Sequence, residues 1–161
     1  MKRFIAGIEK LDIFFISISG VVLAFMMAVT LADIILRLFG KPIVGSVEII
    51  TFSGAVVVGF AIPYTSWKRA HVYVDFLTEK LSPNAKRIME LFTKSAGILL
   101  FLFIGYNFII YGLDLKRTGE VSPSFKLPFY PIPFGLAVAS FLESLTLFID
   151  LQKVFKGGEN E

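Results

Sequence analysis

The sequence predicts an all-α membrane protein with four transmembrane helices and a short amphipathic interfacial helix between the second and the third. Two observations support this class. Hydrophobic residues make up 55% of the chain, with a mean hydropathy of +0.75, and charged residues make up only 18%. A soluble domain keeps about 45–50% apolar and about 25% charged residues. A small soluble core cannot bury this much apolar surface, so a lipid environment is expected.

The apolar residues are gathered into four stretches, each long enough to cross a bilayer, which takes about 20 residues in a helix. We place the spans at about 13–36, 49–67, 88–113 and 130–150, within a single domain of residues 1–161. None of them has the period-2 alternation of barrel strands. The first is longer than the apolar core of a signal peptide, and no small-residue cleavage site follows it, so it is expected to be an uncleaved anchor.

The basic residues predict the orientation, because Lys and Arg are retained on the cytoplasmic side of a membrane. Eleven of them lie before the first span, between the second and third spans or in the first two turns of the third, and after the fourth. Five lie in the two other connectors or beside them. The bias predicts that both termini are cytoplasmic and that two short loops face outside.

The middle connector contains the predicted interfacial helix. Val74, Leu77 and Leu81 fall on one helical face, as in a helix lying at the inner membrane surface. An ordinary connecting turn is the alternative. Ser82 followed by Pro83 indicates the start of the next helix, with Ser as the cap and Pro at the first position.

Small residues recur every four positions along three of the spans. Such ridges allow close approach between helix backbones, which is how helices associate in lipid. The ridges pack either within this four-helix unit or against a larger membrane partner, and the sequence leaves both interpretations open. The ridge residues are Gly20, Ala24, Ala28 and Ala32 in the first span, Ala55 and Gly59 in the second, and Gly135 and Ala139 in the fourth.

Charged residues within the spans are candidate functional residues, because an intramembrane charge must be paired or lie in a wet cavity. Glu143 is the deepest, and it belongs either to an ion path or to a structural pair with Lys94 at the same depth. The structural pair is the favoured interpretation. Asp33, Arg37 and Glu48 form a second cluster, which ties the first two helices together or contacts an outside partner.

Residue types exclude several classes of chemistry. There is no cysteine, so disulfides, thiolate metal sites and iron–sulfur clusters are excluded. His71 is the single histidine, and haem held between two histidines or a transition-metal site needs more ligands than that. No nucleophile–base arrangement and no basic soluble face is evident. We therefore predict no enzyme activity, no cofactor and no nucleic-acid partner.

An ordered set of short motifs runs from the end of the first span to the start of the fourth. Arg37 follows the first span, Gly-Ser-Val-Glu at 45–48 enters the second, and Lys-Arg-Ala-His-Val-Tyr-Val-Asp at 68–75 follows it. Ser-Pro-Ser-Phe-Lys-Leu-Pro at 122–128 and Ile-Pro-Phe-Gly at 132–135 precede and enter the fourth. This ordered set resembles the small membrane subunit of tripartite ATP-independent periplasmic (TRAP) transporters, although Val47 stands where that family often has tryptophan. The positions that carry the resemblance are Arg37, Glu48, His71, Asp75, Pro128, Pro133 and Gly135.

The resemblance implies a subunit of a sodium-coupled importer in a bacterial or archaeal inner membrane. Its partners would be a large membrane subunit that carries the substrate and sodium sites, a periplasmic binding protein that delivers an organic acid, and the membrane lipids. The small subunit would be a scaffold for the large one. A self-sufficient four-helix exporter acting as a homo-oligomer is the alternative, and the membrane anchor of a redox complex is a third, weaker one.

Overall fold

A computed structural model describes residues 2–68 and 83–155. Within these residues it contains four helices, each long and apolar enough to cross a membrane, so the predicted fold class is confirmed. The predicted interfacial helix lies outside the described residues. The four helices are α1 (Lys2–Leu38), α2 (Ser46–Trp67), α3 (Pro83–Thr118) and α4 (Pro131–Phe155).

The helix ends follow local sequence rules. Pro83 occupies the first position of α3, where its missing N–H removes no helical hydrogen bond. Gly40 ends α1 with a positive φ of 69°, and its N–H bonds to the Arg37 carbonyl while the Lys41 N–H bonds to the Leu36 carbonyl. This pair of bonds is the Schellman termination, which favours glycine at the left-handed position.

The helices are arranged in the order α1, α2, α4, α3. α1 packs mainly on α2, α3 packs on α4, and α4 also contacts α2 and α1. Half of the apolar segment of α4 is buried inside the protein, against about a tenth or less for each of the other three. The outward faces of α1 and α3 are consequently rich in exposed aliphatic and aromatic side chains, which suit a lipid environment.

Glycines on one helix meet large side chains on its neighbour. A Cβ atom added to Gly105 would lie 3.1 Å from the Phe141 ring, and one added to Gly112 would lie 3.1 Å from the Phe134 ring. These contacts set the antiparallel register of α3 against α4. In the parallel pair of α2 and α4, Leu136 packs directly on Gly59.

The small-residue ridges therefore have different surroundings. Those of α2 and α4 face each other, with Ala139 only 2% exposed. The four ridge residues of α1, by contrast, are exposed, and nothing lies within 4 Å of a Cβ atom built on Gly20. Among the residues that the structure describes, Gly20 has no neighbouring helix within reach, and the rest of the first ridge is exposed.

Candidate functional site

A group of buried polar side chains lies between the helices, in the half of the bundle that contains the N-terminal part of α1. α4 supplies three of its members at spacings of three and four residues, which places them on one helical face. We call this group the interior polar seam. It consists of Asp12, Ser66, Lys94, Glu143, Thr146 and Asp150, all less than 9% exposed.

Glu143 joins α4 to α2. The Ser66 hydroxyl donates a hydrogen bond of 2.5 Å to Oε1 of Glu143, and the glutamate is 1% exposed. The other carboxylate oxygen, Oε2, has no hydrogen-bond partner among the described residues. A buried glutamate with one unmet oxygen is unusual inside a membrane bundle, because lipid cannot supply a donor.

Lys94 pairs with Asp150 and Glu90, and not with Glu143 as expected from the sequence. Its ammonium lies 3.4 Å from Oδ2 of Asp150 and 2.9 Å from Oε1 of Glu90, whereas Glu143 bonds to Ser66. The antiparallel register explains this, since it sets Lys94 opposite Asp150. Glu143 lies seven residues earlier on α4, a distance of about 10 Å along the helix. The structural pair in α3 and α4 is therefore Lys94 with Asp150.

Four members of the seam were not recognised in the sequence: the hydroxyl-bearing Ser66 and Thr146, and the carboxylates Asp12 and Asp150. Asp12 is fully buried, and its Oδ2 accepts a hydrogen bond of 3.3 Å from Thr146, while Oδ1 has no described partner. Residues 8, 12, 15 and 19 share one face of α1 and are all buried or half-buried, but only the structure identifies this face as the buried one. Asp150 follows Glu143 by seven residues, two turns along the same face of α4.

Asp33 joins α1 to α2 at the opposite end of the bundle. Its carboxylate accepts hydrogen bonds from Nε of Arg37 at 2.8 Å, from the Ile43 amide at 2.8 Å and from the Ser46 hydroxyl at 3.0 Å. This arrangement ties the first two helices together, in line with the first alternative for the predicted cluster. Arg37 itself remains half exposed, with 56% of its side chain accessible.

Glu48 belongs to a different contact from the one expected. Its Oε1 accepts hydrogen bonds from the Ser124 amide at 3.0 Å and the Ser124 hydroxyl at 2.7 Å, rather than joining Asp33 and Arg37. The loop between α3 and α4 thereby closes over the start of α2. Gly45, at a positive φ of 79°, lies directly against the Phe125 ring, and a side chain at this position would collide with that ring.

The other positions that carry the resemblance fall in three places. His71 and Asp75 lie outside the described residues. Pro128 forms an isolated bridge with Val121 across the loop, and Pro133 lies in the first turn of α4. Gly135 is packed against the Phe60 ring, so it belongs to the α2–α4 interface.

The chemistry available to these groups is limited. Within residues 2–68 and 83–155, no group of three or more His, Asp or Glu side chains is placed to hold a metal ion. The contacts Glu143–Ser66, Asp12–Thr146 and Lys94–Asp150 each connect one helix to another. The fold and site thus define a class of protein: a multi-pass α-helical membrane protein whose buried charges hold its own helices together.

Comparison with known families identifies the chain more closely. The family model of the DctQ component of tripartite ATP-independent periplasmic transporters matches residues 26–157, and the chain belongs to this family. It is a transporter component and not an enzyme. No curated protein and no solved structure matches the chain.

Proposed function

We propose that this chain is the small, non-catalytic subunit of a sodium-coupled TRAP importer of organic acids. In this role it scaffolds the large membrane subunit and helps to dock the periplasmic substrate-binding protein. Membership of the DctQ family supports the assembly. Sodium coupling and the class of substrate are those that the resemblance implies.

One observation carries the scaffold role: intramembrane charges are used to join parts of the same chain. Asp33 bonds to the start of α2, Glu48 to the loop before α4, Lys94 to Asp150 and Glu143 to Ser66. Transporters usually place such groups in a midplane cavity between broken helices of repeated halves. Here the groups fasten helices, which is what a rigid support for another subunit requires.

The outer end of the bundle supports the docking role. Lys41, Lys116, Arg117 and Lys126 are exposed there, and the loop that contains Lys126 is held to Glu48. Exposed basic residues at this end, one of them on a fixed loop, favour encounter with an acidic partner, and such encounter weakens as salt is raised. We also propose that both termini are cytoplasmic and that the chain lies in an inner membrane, in accord with the distribution of basic residues.

Reconstitution tests the proposal. Liposomes with the large subunit and the binding protein should take up an organic acid on a sodium gradient only when this chain is included. Liposomes with this chain and no large subunit should show no uptake, because it lacks a transport site. Sodium-driven uptake by the purified chain by itself would refute the scaffold role and revive the small-exporter alternative.

Topology is tested separately by single-cysteine labelling, which is clean because the chain has no native cysteine. Cysteines at positions 41 and 120 should react with an impermeant reagent in intact cells. Those at positions 80 and 159 should react only after the cells are opened. Labelling of position 80 from outside would overturn the orientation.

A further inference from the structure

An open groove runs between α2 and α3, two helices that flank α4 from different sides. Its volume is about 460 Å³, and α4 forms its floor. Along α2 it extends from Gly54 to Ile62, about 12 Å or just over two helical turns. It lies near the bilayer centre, because residues 101–108 of α3 border it and the uncharged part of α3 runs from 95 to 113.

The wall and the floor differ in chemistry. Gly54 and Ala55 keep part of the α2 wall small, which permits close approach of another helix backbone, whereas Gly59 is covered by Leu136. The floor, however, contains Ser140 and Glu143. Oε2 of Glu143 has no described hydrogen-bond partner, so a residue that lines the groove carries an unmet acceptor.

A second unmet polar group lies on α3 next to the lining residue Phe108, although it does not itself line the groove. Asn107 on α3 is exposed, and it follows the wall residue Ile104 by one helical turn. One N–H of its amide donates to the Phe103 carbonyl at 2.8 Å, which leaves its carbonyl oxygen and its second N–H available. Tyr111, one turn further along, is 55% exposed. Acyl chains satisfy none of these groups, since they offer no hydrogen bonds.

The outward face of α1 makes an informative contrast. Its ridge is also small and exposed, but the neighbouring hydroxyls of Ser17 and Thr30 donate to the Ile13 and Met26 carbonyls of their own helix. Lipid can cover that face without leaving a hydrogen bond unmade.

We infer that the groove between α2 and α3 seats a transmembrane helix of the large subunit, whose polar side chains bond to Glu143 and Asn107. This inference rests on the proposed function and identifies the surface through which the scaffold works. A helix suits the groove better than lipid does, because a helix offers both an apolar surface and side chains that can form hydrogen bonds, whereas acyl chains offer only the apolar surface.

The experiment is co-purification with the affinity-tagged large subunit after co-expression. Ala55→Phe fills the groove and should reduce the recovered complex at least about fivefold, as expected for overpacking of a tight interface. Ala24→Phe, the matched change on the exposed ridge of α1, should leave recovery unchanged. Asn107→Leu removes the amide beside the groove and should weaken the complex about threefold to tenfold.

Glu143→Gln tests the contribution of Glu143 to complex formation separately from its contribution to the folding of the subunit. The amide oxygen can still accept from Ser66, so the melting temperature of the isolated subunit should change little while recovery of the complex falls. Loss of recovery with Ala24→Phe and not Ala55→Phe would overturn the inference, as would equal effects of both or no effect of either. Failure of the unaltered chain to co-purify with the large subunit would instead contradict the proposed function.

Discussion

The pairing of Lys94 makes a quantitative prediction about stability. The side chains of Lys94 and Asp150 are 7% and 11% exposed, so water screens their attraction weakly. Lys94→Met removes the cation that neutralises Asp150 and Glu90. Removal of one partner from a buried pair destabilises a protein by about 3–5 kcal/mol, and we expect the lower end, about 3 kcal/mol, because Glu90 is partly exposed.

This loss is measurable as a melting temperature in detergent. For a chain of this size about 3 kcal/mol corresponds to a decrease of roughly 6–12 °C. Lys116→Met, an exposed lysine near the end of the same helix, is the control and should change the melting temperature little. The double variant Lys94→Met with Asp150→Leu should recover a good part of the loss, because the buried anion is then also absent.

The same assay distinguishes the observed pairing from the one expected from sequence. Glu143→Gln should alter the stability of the isolated subunit by only about 1 kcal/mol or less, since it leaves a neutral acceptor for Ser66 and separates no ion pair. A melting temperature that fell as far with Glu143→Gln as with Lys94→Met would refute the register argument. Recovery of Lys94→Met by Glu143→Gln rather than by Asp150→Leu would refute it as well.

Two further predictions concern the loop and the helix interface. Ser124→Ala should speed hydrogen exchange at the amides of residues 120–130, because Glu48 then loses the hydrogen bond from the Ser124 hydroxyl. Unchanged exchange would mean that this hydroxyl contact does not hold the loop. Gly105→Leu should destabilise the subunit by about 1–3 kcal/mol, because the new side chain collides with Phe141. Gly20→Leu is the control and should be tolerated. Equal melting temperatures for the two variants would contradict the α3–α4 packing.

The sequence by itself determined the fold class and the family. Both follow from properties that are local in the chain: long apolar stretches, the distribution of basic residues and short motifs such as the one at residues 45–48. The start of α3 at Pro83 is likewise a local matter, because proline at the first helical position loses no hydrogen bond. None of these inferences needs to specify which helices are neighbours.

The tertiary structure decided which partners the charged residues have and whether each small-residue ridge is buried or exposed. A hydrophobic span is apolar on nearly every face, since lipid and protein interior are equally apolar, so periodicity does not reveal which face is buried. Depth along the membrane suggested Lys94 as the partner of Glu143, but the glycine contacts shift the register of α3 by two turns and bring Asp150 to Lys94 instead. The same packing buries Ala139 and leaves Ala28 exposed, although both belong to ridges of similar spacing.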